Sequence, residues 1–308
     1  MRDNRPKDDI IPFGKAVFWI FLSTLIITGT AILVWVYFKH IENLRGNDDK
    51  YRIIAVVQTG PEKEALKTVY LEELLDISID KPANLYSLDT REAQKKLLAS
   101  PLIKKASVKK MNPGTLYIDY SIRQPVAYSG DFTNTAIDAD GILIPFKPFF
   151  TPKKIPEIYV GLHNDDEAIS KPLNMEEIWG MKLENKKFAL AFEMLDSIAN
   201  SCCLQTSHIR KIDVSRAYSD SYGQRQIIVV VEDWFEKNHD GRSILCIFPR
   251  ILRLSTNNYR QELFDFTLLR EYLQHQELQQ IVDSSQAVVR TEPMIIDMRT
   301  PQVAFLKE

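Results

Sequence analysis

The chain has 308 residues, of which 45% are apolar and 26% are charged. This composition excludes a largely disordered chain and leaves room for two or three domains of ordinary size. The formal net charge is −2, so no overall positive field favours nucleic acid or anionic lipid, and any binding of a polyanion would have to be local.

An apolar segment, AVFWIFLSTLIITGTAILVWVYF, runs from Ala16 to Phe38 without a charged residue. As a helix it would be about 34 Å long, enough to cross a hydrocarbon core of about 30 Å. Trp19 lies near one end and Trp35 near the other, where amphipathic rings favour the lipid–water interface. No small-residue cleavage site follows, which favours a retained anchor over a cleaved signal peptide.

The positive charges on the two flanks of this span are balanced, so the positive-inside rule does not fix its orientation. A short tail before one span, with about 270 residues after it, is the common layout of an exported domain, and it favours a cytoplasmic N-terminus. The sequence thus predicts a tail over 1–15, a membrane helix over 16–38 and a polar juxtamembrane linker over 39–51.

The next segment has a β-α-α-β-β pattern over 52–125. The run from Arg52 to Val57 is rich in Ile and Val, as in a strand. A helix is predicted after Pro61, which suits a first helical turn, because Leu66, Val69, Tyr70 and Leu74 recur at helical spacing. A second helix begins after Asp89, with Glu92 in a capping-box position and Ala93, Leu97 and Leu98 as its apolar stripe, and it ends at Pro101.

Beyond Pro101 the apolar period changes to two. Ala106 and Val108 alternate with polar residues, and AsnProGly at 112–114 makes a turn. Leu116, Ile118, Tyr120 and Ile122 then share one face of a second strand. The sequence predicts a half-buried hairpin whose lysines, Lys104, Lys105, Lys109 and Lys110, face solvent.

This order of elements resembles a POTRA domain, and its residues are similar to those of the bacterial cell-division family FtsQ/DivIB. The family pattern reads approximately P-x-V-x-x-A-x-V-x-R-x-W-P-x-T-L and then E-R-x-P-V-A. The corresponding residues of this chain are Pro101, Ile103, Ala106, Val108, Lys110, Pro113, Thr115, Leu116, Arg123, Pro125, Val126 and Ala127. The departures are Lys110 for Arg, Asn112 for the aromatic and Ile122 for Glu.

Residues 126–308 are predicted to form a mainly antiparallel β-domain with flanking helices, which makes the fold class α+β. The stretch TAIDADGILI, 135–144, has AspGly between alternating apolar residues and predicts a hairpin, as the FtsQ family also has at this point. A calcium loop is the alternative for Asp138 and Asp140, but the further ligands of an EF-hand are absent. The segment from Pro145 to Pro172 has no clear period and is interpreted as a connection or variable insertion.

Two helices and two strands are predicted in the rest of this region. One amphipathic helix carries Phe188, Ala191, Phe192, Leu195 and Ile198 on one face, and the other carries Leu263, Phe266, Leu269 and Leu273. The run from Ile227 to Val231 is β-branched throughout, as in a strand buried on both faces, and Ser243–Phe248 forms a further strand.

The sequence shows no pattern typical of an active site or a metal site. Its three cysteines, Cys202, Cys203 and Cys246, have neither metal-ligand nor framework spacing, and the five histidines are dispersed. Buried free thiols are the expected state, although a bridge from Cys246 to Cys202 or Cys203 stays open in an oxidising compartment. We therefore predict no enzyme, cofactor, nucleic acid or small-molecule substrate.

The chain ends with MIIDMRTPQVAFLKE, in which Ile296, Asp297, Met298 and Arg299 stand where the FtsQ family has a closing V-D-L-R-like strand. The resemblance implies a non-enzymatic scaffold at the cell inner membrane and division septum, with the bulk of the chain outside the cytoplasm. It would link early and late division proteins and bind an FtsB/FtsL-type complex that controls septal peptidoglycan synthesis. The alternatives are a membrane-anchored POTRA adaptor in secretion or outer-membrane assembly and an exported enzyme with an unrecognised site.

A terminal strand offers unpaired backbone groups to which a partner segment can add. We therefore hypothesise a partner-binding strand between Asp297 and Phe305. Pro301 within it is expected to interrupt regular pairing, because proline has no N–H. The predicted contact residues are Asp297, Met298, Arg299, Thr300, Val303 and Phe305.

Overall fold

The computed structural model describes residues 13–78, 83–162, 175–199, 207–239, 242–280 and 288–307. The chain divides into two compact units. The first contains the N-terminal helix and the greater part of the β-α-α-β-β module, and the second contains Pro61–Ala65, Leu98–Lys105 and the chain from Ser121 onward. Residues 1–12, Cys202, Cys203 and the 163–172 part of the Pro145–Pro172 segment lie outside the described residues.

The N-terminal helix α1 runs from Phe13 to Gly46 and contains the whole predicted span. It is long and apolar enough to cross a membrane, with a mean hydropathy of 2.3 over its most apolar 18 residues, and apolar side chains such as Trp19 and Trp35 are exposed. The helix continues through 39–46, the first half of the predicted linker. These residues, KHIENLR followed by Gly46, contain no helix breaker until the glycine. A 3-10 turn at Asp49–Tyr51 follows.

The β-α-α-β-β module has the predicted order of elements. It comprises β1 Ala55–Thr59, α2 Thr68–Leu74, α3 Thr90–Ala99, β2 Ile103–Met111 and β3 Thr115–Ile122. The three strands form one sheet in the order β1–β3–β2, with β1 parallel to β3.

The prediction that a helix begins at Pro61 is wrong, because α2 begins only at Thr68. Glu64 has a positive φ of 64°, which a helix does not allow. Its carboxylate accepts from the backbone N–H and the hydroxyl of Thr151, at 3.3 and 3.0 Å, and pairs with Lys153 at 3.0 Å. These long-range bonds hold the segment in an irregular path, and they lower the pKa of Glu64 although burial opposes them.

The second helix and the hairpin agree closely with the sequence pattern. Asp89 accepts from the Arg91 N–H at 2.8 Å, which confirms it as the cap of α3. Ala93 and Leu97 are buried, whereas Leu98 is exposed and does not belong to the buried stripe. The four apolar residues of β3 are buried, and the four lysines of β2 are exposed as predicted.

The second unit is built on one mixed sheet, which confirms the α+β class. Its strands are β4 Pro125–Ser129, β5 Thr135–Asp138, β6 Leu143–Pro145, β7 Glu157–Tyr159, β8 Ser207–Asp213, β9 Ile227–His239, β10 Arg242–Leu254, β11 Val288–Arg290, β12 Met294–Thr300 and β13 Val303–Lys307. The order is β13–β12–β10–β9–β8–β7–β4–β5–β6, with β11 also beside β10. The pairs β4–β7, β7–β8, β10–β11 and β10–β12 are parallel, so the sheet is less antiparallel than the sequence predicts.

The β5–β6 hairpin is confirmed, and its acidic residues are held by cations. Asp138 accepts from the N–H groups of Asp140 and Ile142, at 2.9 and 2.8 Å, which closes the turn. Arg123 pairs with Asp138 at 2.8 Å, and Lys104 pairs with Asp140 at 2.7 Å. These pairings account for both carboxylates without a calcium ion.

The described residues of this unit contain three helices: α4 Met175–Ile178, α5 Lys186–Ala199 and α6 Tyr259–Gln280. The predicted stripes of α5 and α6 enter one apolar core with alternate residues of β9. Ile227, Val229 and Val231 are fully buried there, whereas Ile228 and Val230 are half-buried. The prediction that β9 is buried on both faces is thus correct for one face only. Cys246 is a buried free thiol, and burial raises its pKa.

A buried ionic cluster fixes the C-terminal half of α6 to the sheet. Asp233 of β9 and Arg250 of β10 are each 1% exposed. Arg270 of α6 lies 3.0 Å from Asp233, and Arg250 forms a two-pronged pair with Glu277 of α6. Removing one member of such a cluster leaves a buried charge unpaired, so the cluster holds α6 in one position against β9 and β10.

Candidate partner-binding site

The C-terminal segment forms a hairpin of two strands, where the sequence predicts one. β12 runs parallel to β10, and β13 returns antiparallel to β12, with Asp297 opposite Phe305 and Thr300 opposite Val303. Pro301 and Gln302 make the turn, and Gln302 has a positive φ of 62°. Pro301 therefore does interrupt regular pairing, as expected, but it does so in a turn between two strands, where no ladder bond is needed.

β13 lies at the end of the sheet order, and no further strand pairs with it in the part of the chain that the structure describes. Val303, Phe305 and Leu306 are 47%, 58% and 48% exposed. A strand that combines an open edge with exposed apolar side chains is a template for pairing with another chain. Only its last described residue, Lys307, is of the charged kind that natural edge strands use against such pairing.

The predicted residues Asp297 and Arg299 bind one another. The Arg299 Nε and Nη2 atoms donate to the two carboxylate oxygens of Asp297, at 2.9 and 2.7 Å. A third donor, Arg299 Nη1, reaches the carbonyl of Gly223 at 3.0 Å and ties β12 to a neighbouring loop. The Arg299 bonds, with Arg253 nearby at 3.8 Å, lower the pKa of the Asp297 carboxyl. This pair positions the hairpin.

The other predicted residues divide between the core and the surface. Met298 is 7% exposed and packs in the core. Thr300 is exposed beside the turn, and Val303 and Phe305 are exposed on β13. The structure thus places Thr300, Val303 and Phe305 where a partner can touch them, and it places the other three predicted residues in support of the hairpin.

A groove of about 870 Å³ runs between this hairpin and α6. Gln261, Asp265 and Leu269 line its helical wall, and residues 298 and 300–304 line the other. Glu262 also lines the groove; it is 7% exposed and accepts from the Ser255 N–H at 2.7 Å and from the Ser255 hydroxyl. Burial raises the pKa of Glu262, although the Ser255 bonds oppose this.

An exposed apolar stripe continues the helical wall of the groove. Phe264, Leu268 and Tyr272 are 56%, 62% and 60% exposed, and their spacing of four places them on one face of α6. Leu268 and Tyr272 lie three residues beyond the groove residues Asp265 and Leu269, so the stripe and the groove adjoin. The sequence reasoning missed this stripe. The sequence does contain a signal for it, because the apolar residues of α6 cover two faces of the helix, whereas a helix that only packs on a core needs one apolar face.

The groove, the stripe and the strand edge together have the features of the surfaces on which proteins recognise extended or helical segments of a partner. Such a surface holds its ligand by backbone pairing and apolar contact.

The comparison with known families identifies the module that precedes it. Residues 64–119 match the family model of the FtsQ-type POTRA domain. This chain therefore carries such a domain, and the domain together with the apolar helix before it fits the FtsQ/DivIB family. No curated protein matches the chain at a significant level.

Proposed function

We propose that this protein is a membrane-anchored, non-enzymatic scaffold of bacterial cell division, which links early and late division proteins and binds an FtsB/FtsL-type partner to control septal peptidoglycan synthesis. The observation that carries the proposal is the open edge of β13 beside the α6 groove, in a chain with an FtsQ-type POTRA domain. The site binds and positions a partner; it performs no chemistry.

The binding mode follows from the geometry of the edge. A partner strand that pairs with β13 gains backbone hydrogen bonds, and alternate side chains give specificity. Val303 and Phe305 lie on one face of β13, two residues apart, and an apolar partner side chain can cover both. A partner helix can lie along Phe264, Leu268 and Tyr272. Asp297 and Arg299 already bind one another, so these two residues offer little to a charged residue of the partner.

The proposed location is the cell inner membrane at the division septum. The N-terminus lies in the cytoplasm, and α1 crosses the membrane once. The POTRA domain and the second unit lie outside the cytoplasm, where FtsB/FtsL-type proteins and other membrane proteins of the division machinery are their partners. Support for this comes from the apolar helix and the FtsQ-type domain.

The binding site is tested by capturing membrane partners with the full-length chain in detergent and measuring their affinity for it. Phe305→Lys puts a charge on the edge strand and removes apolar contact, which for one large side chain is about 2 kcal/mol, or roughly thirtyfold in affinity. Val288→Lys is the matched control, because Val288 is an exposed valine on β11 of the same sheet. Equal loss in both variants, or none in Phe305→Lys, contradicts the assignment.

The cellular role is tested by the location of the tagged chain in dividing cells. A mid-cell band that depends on the division machinery is expected. Diffuse envelope staining with normal division after depletion would refute the division role and favour the alternative of a POTRA adaptor in secretion or outer-membrane assembly. The binding experiment separates the same alternatives, because its captured partners are identified.

A further inference from the structure

The membrane-proximal end of α1 is fixed to the POTRA domain by a side chain of that domain. The Asn84 amide donates to the carbonyls of Arg45 and Asp48, both at 3.0 Å, and its oxygen accepts from the Tyr86 N–H at 2.8 Å. The last carbonyls of a helix have no partner within the helix, and Asn84 supplies one. Just beyond, the Leu85 N–H donates to the Tyr51 carbonyl at 2.8 Å. The domain is therefore held at the helix end.

Three cationic side chains lie near two tyrosine rings where α1 joins the POTRA domain. Tyr51 and Tyr86 pack edge to face with 4.9 Å between ring centres. The Arg45 guanidinium lies 5.3 Å from the Tyr86 ring, and Lys110 lies 6.0 Å from it. Lys50 lies 6.0 Å from the Tyr51 ring. We name these five residues the base cluster.

The cations of the base cluster are available to a ligand. Arg45, Lys50 and Lys110 are exposed, and none of them forms an ion pair within the described residues. The neighbouring acids do not pair with these cations among the described residues: the Asp48 carboxylate accepts only from the Lys50 backbone N–H, at 3.0 Å, and Asp49 lies 3.9 Å from Arg52. The cluster is thus a local concentration of positive charge on a chain whose net charge is −2.

The length of α1 sets the height of the base cluster above a membrane. Arg45 follows Phe38, the last residue of the apolar segment, by seven helical residues, which is about 10 Å. The headgroup layer of one leaflet is about 6 Å thick. The remaining few ångströms are within the reach of an arginine or lysine side chain and within the screening length of about 8 Å at physiological salt.

We propose that the base cluster binds the anionic headgroups of the lipid bilayer that α1 crosses. The proposal rests on α1 crossing a bilayer and is independent of the site at β13. The helix places the cations near the headgroups, and the Asn84 bonds fix the POTRA domain to the helix end, so that the cations stay at this height. The rings of Tyr51 and Tyr86 hold the cations in place, so little side-chain freedom is lost on binding.

The test is lipid selectivity of the full-length chain in bilayers of phosphatidylcholine and phosphatidylglycerol, measured by electron spin resonance with spin-labelled lipids of each kind. Each cation at an anionic surface contributes up to about fivefold, the equivalent of ~1 kcal/mol. The wild-type chain is expected to immobilise labelled phosphatidylglycerol several-fold more than phosphatidylcholine. Arg45→Gln/Lys50→Gln/Lys110→Gln should lower this ratio several-fold, leaving only the selectivity of cations outside the base cluster such as Lys15 and Lys39, and high salt should bring the wild-type ratio near one.

The matched control is Lys67→Gln/Lys95→Gln/Lys105→Gln, which removes the same charge from three exposed lysines of the POTRA module outside the base cluster. Its ratio should equal that of the wild type. Equal immobilisation of the two lipids by the wild type, or an equal loss in both triple variants, overturns the proposal. Lys110→Gln alone, at an exposed side chain on β2, keeps the test decisive if the triple variant does not fold, since an unchanged ratio there also counts against the proposal.

Discussion

Asp297→Asn is the most informative single substitution, because it separates a positioning role from a contact role at the C-terminal hairpin. Asp297 receives two bonds from the Arg299 guanidinium and a third, at 3.2 Å, from the Arg299 backbone N–H. Its side chain is 20% exposed, so water replaces these bonds only in part. An asparagine keeps one acceptor and turns an amide toward the guanidinium. We expect the hairpin to lose stability while the exposed edge of β13 keeps its side chains.

The expected loss of hairpin stability in Asp297→Asn follows from the strength of hydrogen bonds to charged groups. Hydrogen bonds to charged groups contribute about 1.5–3 kcal/mol net, and we take about 2 kcal/mol for this pair. In the opening equilibrium of the hairpin that corresponds to roughly a thirtyfold increase in the open population. Amide hydrogen exchange of the β12 peptide, residues 294–300, should accelerate by the same factor at pH 7.

The effect should depend on pH in a defined direction. The pKa of Asp297 is lowered in the folded chain, chiefly by the Arg299 bonds. A carboxyl of this kind stabilises the folded state fully above its unfolded pKa of about 3.9, and the contribution disappears as the pH falls through the lower folded value. The variant-to-wild-type exchange ratio should therefore be constant from pH 7 to about pH 5 and fall toward one below about pH 4.

Exchange followed by mass spectrometry on the full-length chain measures this ratio at each pH. Asp265→Asn is the control, because Asp265 accepts from the Gln261 amide and has no arginine partner among the pairs described. A ratio that is the same at pH 3 and pH 7, or that is near one at both, would show that the Asp297–Arg299 pair does not hold the hairpin.

Two further predictions concern other parts of the second unit. Gly141→Ala should destabilise it by about 2 kcal/mol or more, measured as a lower urea midpoint, because the residue has a φ of +80° and its Cβ would lie 2.9 Å from the Phe188 ring; an unchanged midpoint contradicts this. The stability of Glu262→Gln should exceed that of the wild type by an amount that grows as the pH rises from 4.5 to 7. The raised pKa of Glu262 means that the wild type loses stability as that carboxyl ionises, whereas a glutamine still accepts from Ser255; thermal midpoints that keep a constant difference across this range would contradict it.

The POTRA domain could be predicted because its information is local. The change of period after Pro101, the AsnProGly turn and the Asp89 cap each act within a few residues, and each appears in the structure. The path of 61–67 could not be predicted in this way. It depends on Glu64 binding Thr151, which lies 87 residues further along the chain, and no local sequence pattern predicts such a distant partner.

The sheet of the second unit illustrates the same limit. Alternation identified β5, and the runs at 227–231 and 243–248 identified parts of β9 and β10, but the parallel pairings β4–β7 and β10–β12 join segments that no turn connects. The hairpin of β12 and β13 was within reach, since Thr300, Pro301 and Gln302 are turn-like between two apolar runs. The prediction of a single strand put Pro301 inside a hydrogen-bonded ladder, whereas the proline ring suits a turn.

The two proposed surfaces differ in the force that each uses, and salt distinguishes them. Beside β13 the ion pair of Asp297 with Arg299 is internal to β12, so along most of β13 a partner contacts backbone groups and the apolar side chains of Val303 and Phe305. Those contacts do not weaken with ionic strength. The base cluster holds three exposed cations and would lose its ligand as screening shortens from about 10 Å at 0.1 M to about 3 Å at 1 M. A rise in salt should therefore release the lipid headgroups from Arg45, Lys50 and Lys110 and leave the partner on β13, and the reverse order would contradict the chemistry assigned to both surfaces.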